Sequence, residues 1–326
     1  MIAVTHTGTP VLYLGFSILV AVFLALDFVL LNAKGKYKVP VREALVWAAV
    51  WFVAAMVFAG WYWWYVDGVH GREVANTKAI EYVSGYLIEK ALATENVFVW
   101  VTIFTYFAVP PEFQKRVLLY GVIGAIVMRA VLIFLGLMLI EKFDWMFYVF
   151  GLFLFATGVK MLLVGGQKPD LGKNPVIGWI RSHMRVTDAY HGERFLVMQQ
   201  GRRYATPLFL VLVLVEVTDL IFSVDSIPAI FAVTTDPFVV FTSNIFAILV
   251  LRAMYFVLAD MAERFHLLNY GLALIVMFIG VKMLIVDLYK IPIPGMLGTV
   301  FAILVVSIGA SLLLPPARDR NSGEAR

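Results

Sequence analysis

No cysteine occurs in the 326 residues, so disulfides, thiolate metal sites and thiol catalysis are excluded from the outset. Histidine is scarce, five residues in all, and none lies in the interior of an apolar run. Charge is thin: 15 % of residues, where soluble domains carry about 25 %. A soluble domain of this length could not hide the 62 % of residues that are hydrophobic, and mean hydropathy is +0.88. No nucleophile–base constellation and no phosphate-binding glycine loop is visible, so an enzyme is not expected. The net charge of +4 and the sequence pI of about 9.1 call for no nucleic acid, because basic residues of membrane proteins collect in cytoplasmic loops.

Long apolar runs are what the chain has in abundance. A helical span takes about 20 apolar residues. Nine runs of that order fall at roughly 10–32, 43–65, 82–107, 116–140, 145–165, 206–233, 238–259, 267–287 and 295–315. They are too long for barrel strands, and lipid leaves no backbone group unpaired, so the expected fold is an all-α membrane protein of about nine transmembrane helices, with residues 1–326 forming one polytopic membrane domain. Lys34, Lys36 and Lys38 follow the first run as a stop-transfer signal would, which predicts that the run stays in the mature protein. With nine spans, 17 basic residues fall on one face, among them Arg42, Lys115, Arg116, Arg185, Arg202 and Arg203. The other face has four: Arg72, Lys78, Lys142 and Lys290. The positive-inside rule then predicts an outer N-terminus and a cytoplasmic C-terminus, with Trp61, Trp63 and Trp64 in an outer aromatic belt. The one sizeable polar piece is the cytoplasmic loop 166–205. Its Trp179–Arg185 stretch predicts a short surface helix, and the residues from Arg194 to Thr206 predict a hairpin. The loop is a connector or a docking site for a cytoplasmic partner.

Residues 82–165 and 206–287 resemble each other. Each copy opens with two carboxylates six apart, Glu89 and Glu95, then Asp219 and Asp225, the second followed by Asn96 or Ser226. Each has a proline turn, Pro110-Pro111 or Asp236-Pro237, and an arginine in its second span, Arg129 or Arg252. Each ends alike, Gly158-Val-Lys-Met-Leu-Leu163 and Gly280-Val-Lys-Met-Leu-Ile285. Three spans per copy is an odd number, so the second copy enters the membrane from the other side. Such inverted repeats are a common plan of secondary transporters, with the site near the midplane between equivalent helices. Span 1 carries Asp27 and Asn32 in a vaguely similar context.

Charges inside a membrane usually face a cavity or a partner. Lys160 and Lys282 sit near span ends, where snorkelling accounts for them. Arg129 and Arg252 lie deeper and are expected to form structural ion pairs with the carboxylates. In span 6, Glu216, Asp219, Ser223 and Ser226 form one polar stripe on a regular helix, while Asp225 points elsewhere. Either the two acids of each copy serve two layers, or the helix unwinds between them near Pro228. Carboxylate, amide and hydroxyl groups are hard oxygen donors suited to Mg, Ca or Mn(II). The same acids could instead make interhelical hydrogen bonds and salt bridges with no ion, or relay protons.

Several runs resemble the TerC/Alx family: Glu89-Lys-Ala-Leu-Ala-Thr-Glu-Asn-Val-Phe-Val99, Tyr106-Phe-Ala-Val-Pro-Pro-Glu-Phe-Gln-Lys-Arg-Val-Leu118, Glu216-Val-Thr-Asp-Leu-Ile-Phe-Ser-Val-Asp-Ser-Ile-Pro-Ala-Ile230 and the Thr-Ser-Asn-Ile-Phe-Ala-Ile run from Thr242. The layout is most similar to the Alx branch. The resemblance implies a bacterial inner-membrane exporter of Mn(II) with no permanently bound cofactor, and the older family name implies tellurite resistance. It assigns the metal role to Glu89, Glu95, Asn96, Glu216, Asp219, Asp225 and Ser226, with Asn244 and Asp27 as accessory candidates. Position 95 departs from the family pattern, being Glu where Asp is expected, and the longer reach bears on ion selectivity. A different divalent cation such as Ca, or a non-transporting scaffold in a stress-response complex, is the alternative.

Overall fold

In the computed structural model, residues 6–33, 40–143, 145–164, 175–199, 201–259 and 267–313 are described. They form α1 (Pro10–Ala33), α2 (Val41–His70), α3 (Arg72–Tyr106), α4 (Pro111–Lys142), α5 (Met146–Val164), α6 (Pro175–His183), β1 (Leu196–Gln199), β2 (Arg202–Ala205), α7 (Pro207–Phe231), α8 (Pro237–Leu258), α9 (Leu268–Leu284) and α10 (Ile293–Leu313). The protein is thus an all-α membrane protein carrying one small hairpin. A helix lies on each expected span, but they are not alike. Among the described residues six helices, α2, α4, α5, α7, α8 and α10, are long and apolar enough to cross a membrane; α1 and α9 offer shorter apolar stretches, Pro10–Leu26 and Leu268–Leu284.

Helix starts follow proline chemistry. Pro111, Pro207 and Pro237 each open a helix, where the missing N–H costs nothing and φ is already helical. Asp236 caps α8, its carboxylate accepting from the backbone N–H of Phe238 at 3.0 Å and of Val239 at 3.4 Å. Between α2 and α3 only Gly71 intervenes, at φ +87°, so the chain reverses on one residue that needs no Cβ. Helix α3 begins at Arg72, ten residues before its apolar run. Its 35 residues extend about 52 Å, well beyond the ~30 Å hydrocarbon layer.

The burial pattern is that of a protein in lipid. Val57, Trp64, Val127, Val131, Leu152 and Val306 are exposed on the outside of the bundle, while Glu89, Asp219, Arg129 and Asn244 are buried within it. Helix α8 is the central post, with 83 % of its apolar window buried; α2, α3 and α4 pack around it. Helix α5 pairs with α9, α3 with α8 and α7, and α4 with α7 and α8. Exchanging α3, α4 and α5 for α7, α8 and α9 maps this set of pairings between the halves onto itself. At the α5–α9 crossing the backbones touch. A Cβ on Gly280 would lie 2.6 Å from the Phe155 backbone nitrogen, and one on Gly158 would lie 2.8 Å from the Ala273 carbonyl.

The loop helix is displaced from its expected position. It runs Pro175–His183, not Trp179–Arg185, because Pro175 sets its first turn. Arg185 has left the helix to accept from the Ala205 N–H at 2.8 Å, and Thr187 donates back to Ala205 at 2.9 Å. The hairpin falls where expected, with Gly201 at φ +74° in its turn. Tyr190, whose phenol is raised by burial, donates to the Phe107 carbonyl at 2.7 Å, and Arg116 pairs with Glu193 at 3.0 Å, so the loop is fastened to the ends of α3 and α4.

Candidate functional site

Arg129 of α4 is completely buried at the centre of the bundle. Its guanidinium donates through Nη1 to Glu89 of α3 and through Nη2 to Asp219 of α7 at 3.1 Å, with Nε to the same carboxylate at 3.4 Å. Longer contacts of 3.4 Å run from Nη1 to the Ser226 hydroxyl and to Oδ1 of Asn244 on α8. Asn96 donates to Asp219 at 2.9 Å, and Ser223 donates to the Asp219 backbone carbonyl at 2.7 Å. Four helices therefore meet on one cation. The planar fork of arginine suits it to two carboxylates at once, as lysine would not be. This is the ion pair expected of Arg129. Arg252, its counterpart on α8, is half-buried and does not line the cavity described next.

Beside Arg129 lies a small cavity, about 20 Å³ measured to the centre of a water molecule, which is room for one water or one dehydrated ion. Glu89, Glu95, Asn96, Asp225 and Ser226 line it, with Arg129 on one wall and Met161, Phe222 and Val276 among its apolar walls. Two buried oxygens here have no hydrogen-bond partner: Oε2 of Glu89 and Oδ1 of Asn96. Buried acceptors left open in this way are rare in folded proteins and point to a bound water or ion. Their donor set is oxygen only, which fits a hard divalent cation.

Helix α7 is helical throughout, with Pro228 inside its last turns, so the unwound alternative does not hold. Asp219, Ser223 and Ser226 face α3 and α4, while Asp225 turns to α5, where it accepts from the Thr157 hydroxyl at 3.2 Å. Lys160 lies within electrostatic reach of Asp225. The seven expected ligands are therefore not gathered into one shell. Among the described residues no three carboxylate or imidazole groups converge as a ready metal cluster. Glu89 and Asp219 are engaged by Arg129, Glu95 and Asp225 share the cavity, and Glu216 stands apart with its carboxylate against Gly124 of α4. The Asp27 side chain lies outside the described residues. Lys160 is exposed, whereas Lys282 does not snorkel: it is buried and donates to the Ala232 carbonyl at 2.8 Å, closing the C-terminal end of α7.

A second buried polar group was not anticipated from the sequence. Lys78, expected in an outer loop, is buried and pairs with Glu81 at 3.0 Å and Asp236 at 3.2 Å. Thr234 donates to Glu81 at 2.6 Å, and Thr7 donates its hydroxyl to Asp236 at 2.7 Å while meeting the Tyr62 hydroxyl at 2.5 Å. The cluster ties the chain before α1 to α2, α3 and the α7–α8 turn. The available signal was Lys78 and Glu81 at i, i+3 on a helix that begins before its apolar run.

Comparison with known proteins adds lineage. The profile of the family described as "Integral membrane protein TerC family" matches residues 74–319. The chain is 52 % identical over 316 residues to the Shigella flexneri protein named "Putative membrane-bound redox modulator Alx", covering 97 % of this chain and 99 % of that one. The protein of the same name in Escherichia coli (strain K12) is also 52 % identical, at 97 % and 98 % coverage. The Myxococcus xanthus protein named "Uncharacterized membrane protein STKORF319" is 42 % identical, over 94 % of this chain and 93 % of that one. No solved structure matches the chain.

Proposed function

The chain belongs to the TerC family of integral membrane proteins, and from that premise we propose that it is a secondary transporter exporting divalent manganese across the bacterial inner membrane. The observation that carries the reading is the central cavity with its two open acceptors, Glu89 Oε2 and Asn96 Oδ1, beside Glu95, Asp225 and Ser226. One guanidinium does not balance the four carboxylates around it. A divalent ion in the cavity would supply positive charge where Glu95 and Asp225 share a wall, with Lys160 as a weaker competitor from the rim. Arg129 then acts structurally, holding Glu89 and Asp219 so that one oxygen of Glu89 stays directed at the ion.

In this reading the helix pairing is the basis for alternating access. Exchanging α3, α4 and α5 for α7, α8 and α9 leaves the same helices paired across the halves 82–165 and 206–287, which supports an inverted three-helix repeat, and residues of α3 and α7 line the cavity. The basic loops set the N-terminus outside and the C-terminus in the cytoplasm. In this reading the metal is cargo, the protein is no enzyme and it holds no resident cofactor. The relatives' name speaks of redox modulation; this chain has no cysteine, so none of its own thiols can take part.

Purified protein in liposomes with an entrapped manganese-sensitive dye tests the proposal. Wild type is expected to change the dye signal on addition of MnCl2, and Asp225→Asn with Glu95→Gln to abolish the change. Competition with CaCl2 in the same vesicles ranks the alternative cation. Absence of flux under every imposed pH gradient would favour the scaffold reading, in which loop 166–205 docks a cytoplasmic partner.

A further inference from the structure

One face of α3 carries polar groups across the whole hydrocarbon thickness. Lys78, Tyr82, Tyr86, Glu89, Asn96 and Trp100 recur at helical intervals that hold them within an arc of about 80°, and they span about 33 Å of rise. The face is buried: Tyr82, Tyr86 and Glu89 are 0 % exposed and Trp100 is 2 % exposed. Yet the Tyr82 hydroxyl, the Tyr86 hydroxyl, Oε2 of Glu89 and the Trp100 indole nitrogen have no hydrogen-bond partner. Across the seam, Nδ2 of Asn244 on α8 is likewise unpaired.

The neighbours explain why protein groups do not serve them. The Tyr82 ring packs on Phe58 at 5.5 Å and the Tyr86 ring on Phe52 at 6.1 Å, both from α2, so each has an aromatic neighbour that offers its hydroxyl no partner. Between the tyrosines Gly85 lies against Ser243 of α8, where a Cβ would stand 2.9 Å from the hydroxyl oxygen. Ser243 spends its own proton on the Val240 carbonyl at 3.2 Å. Lys90 stands over the Tyr86 ring at 5.7 Å, offering a cation to its face and not to its hydroxyl. Buried hydroxyls are nearly always paired, and where protein offers nothing the partner is ordered water. The two tyrosines are one turn apart, about 6 Å along the helix axis.

We propose that a file of ordered water runs along this face of α3, from the Lys78–Glu81–Asp236 cluster past Tyr82 and Tyr86 to the cavity at Glu89. The proposal rests on the transport reading only in making this file the outer half of the ion's route; the water itself does not depend on any transport.

Hydroxyl-radical footprinting of the full-length protein in nanodiscs tests it, since radicals formed from bound water oxidise the side chains beside them. Tyr255 is the dry reference, buried and hydrogen-bonded to Gln114 at 2.9 Å, and Tyr289, 65 % exposed, is the wet one. Tyr82 and Tyr86 are expected to oxidise at least tenfold faster than Tyr255. In the double variant Tyr82→Phe, Tyr86→Phe, which removes only the hydroxyl anchors, the two rings are expected to fall to the Tyr255 level. Tyrosines that oxidise no faster than Tyr255 overturn the file, and so do phenylalanines that oxidise as fast as the tyrosines they replace. Oxidised tyrosines in a protein that moves no MnCl2 leave the file standing and remove the transport reading; unoxidised tyrosines in one that does move it have the opposite meaning.

Discussion

Replacing Arg129 by methionine is the most informative single perturbation of the bundle. Methionine fills much of the same volume but leaves Glu89 and Asp219, both essentially unexposed, facing each other without a cation. Removing one partner of a buried ion pair costs about 3–5 kcal/mol, chiefly because the remaining charge is left in a medium that solvates it poorly. Asn96 and Ser223 recover only part of that loss, since they already bond Asp219 in the wild type. For a cooperative unit of roughly 150–250 residues each kcal/mol is worth about 2–4 °C, so Arg129→Met should lower the melting midpoint by roughly 6–20 °C. The companion is the triple variant Arg129→Met, Glu89→Gln, Asp219→Asn. It contains no buried charge at this point and should return to within about 1 kcal/mol of wild type, because an uncharged replacement of a buried ionic group is often neutral. Tryptophan fluorescence melts of the three proteins in one detergent measure both differences. A single variant that melts with wild type would mean that Glu89 and Asp219 are not charged there, and the argument for Arg129 as their counter-ion would fail. A triple variant less stable than the single one would refute it as firmly.

Other expectations can be checked in the same preparation. Asp225→Asn and Glu95→Gln have no arginine to orphan, so each should shift stability by under about 1 kcal/mol while removing manganese binding measured by isothermal titration. Gly280→Ala forces a methyl group onto the Phe155 backbone and should cost about 1–3 kcal/mol in the same melts, whereas Gly298→Ala, which meets open space, should cost nothing. Asp236→Ala removes the α8 cap and the Lys78 pair together and should destabilise by more than the ~1 kcal/mol of a lost cap; Asp236→Asn keeps the cap and should recover about that amount.

What the sequence disclosed depends on distance along the chain. Apolar runs are local, so each expected span found its helix, and the hairpin was legible from Gly201 and the strand-forming residues around it. Helix ends were less legible because hydropathy registers where lipid begins, not where hydrogen bonding does: α3 starts at Arg72 on residues too polar to count as a span. The acids were conspicuous as charges in an apolar setting, and the expected arginine pair is there: Arg129 stands between Glu89 and Asp219. Asp225 could not be oriented from the sequence, since Pro228 permits both a break and an intact last turn. The Thr7–Lys78–Asp236 cluster was invisible for a simpler reason. Thr7 and Asp236 are 229 positions apart, and each alone reads as an ordinary loop residue.

The contact of main chain on main chain between α5 and α9 has a mechanical meaning. Side chains that interlock must leave their wells before two helices can slide or roll, which makes a packed interface move in discrete jumps. Near Gly280 the surfaces in contact are peptide backbone, and at Gly158 the Met277 side chain is the main group to disengage. Such a seam behaves as a bearing: small changes in crossing angle meet little resistance there, and they are passed to α3 and α7, which carry Glu89 and Asp219 at mid-length.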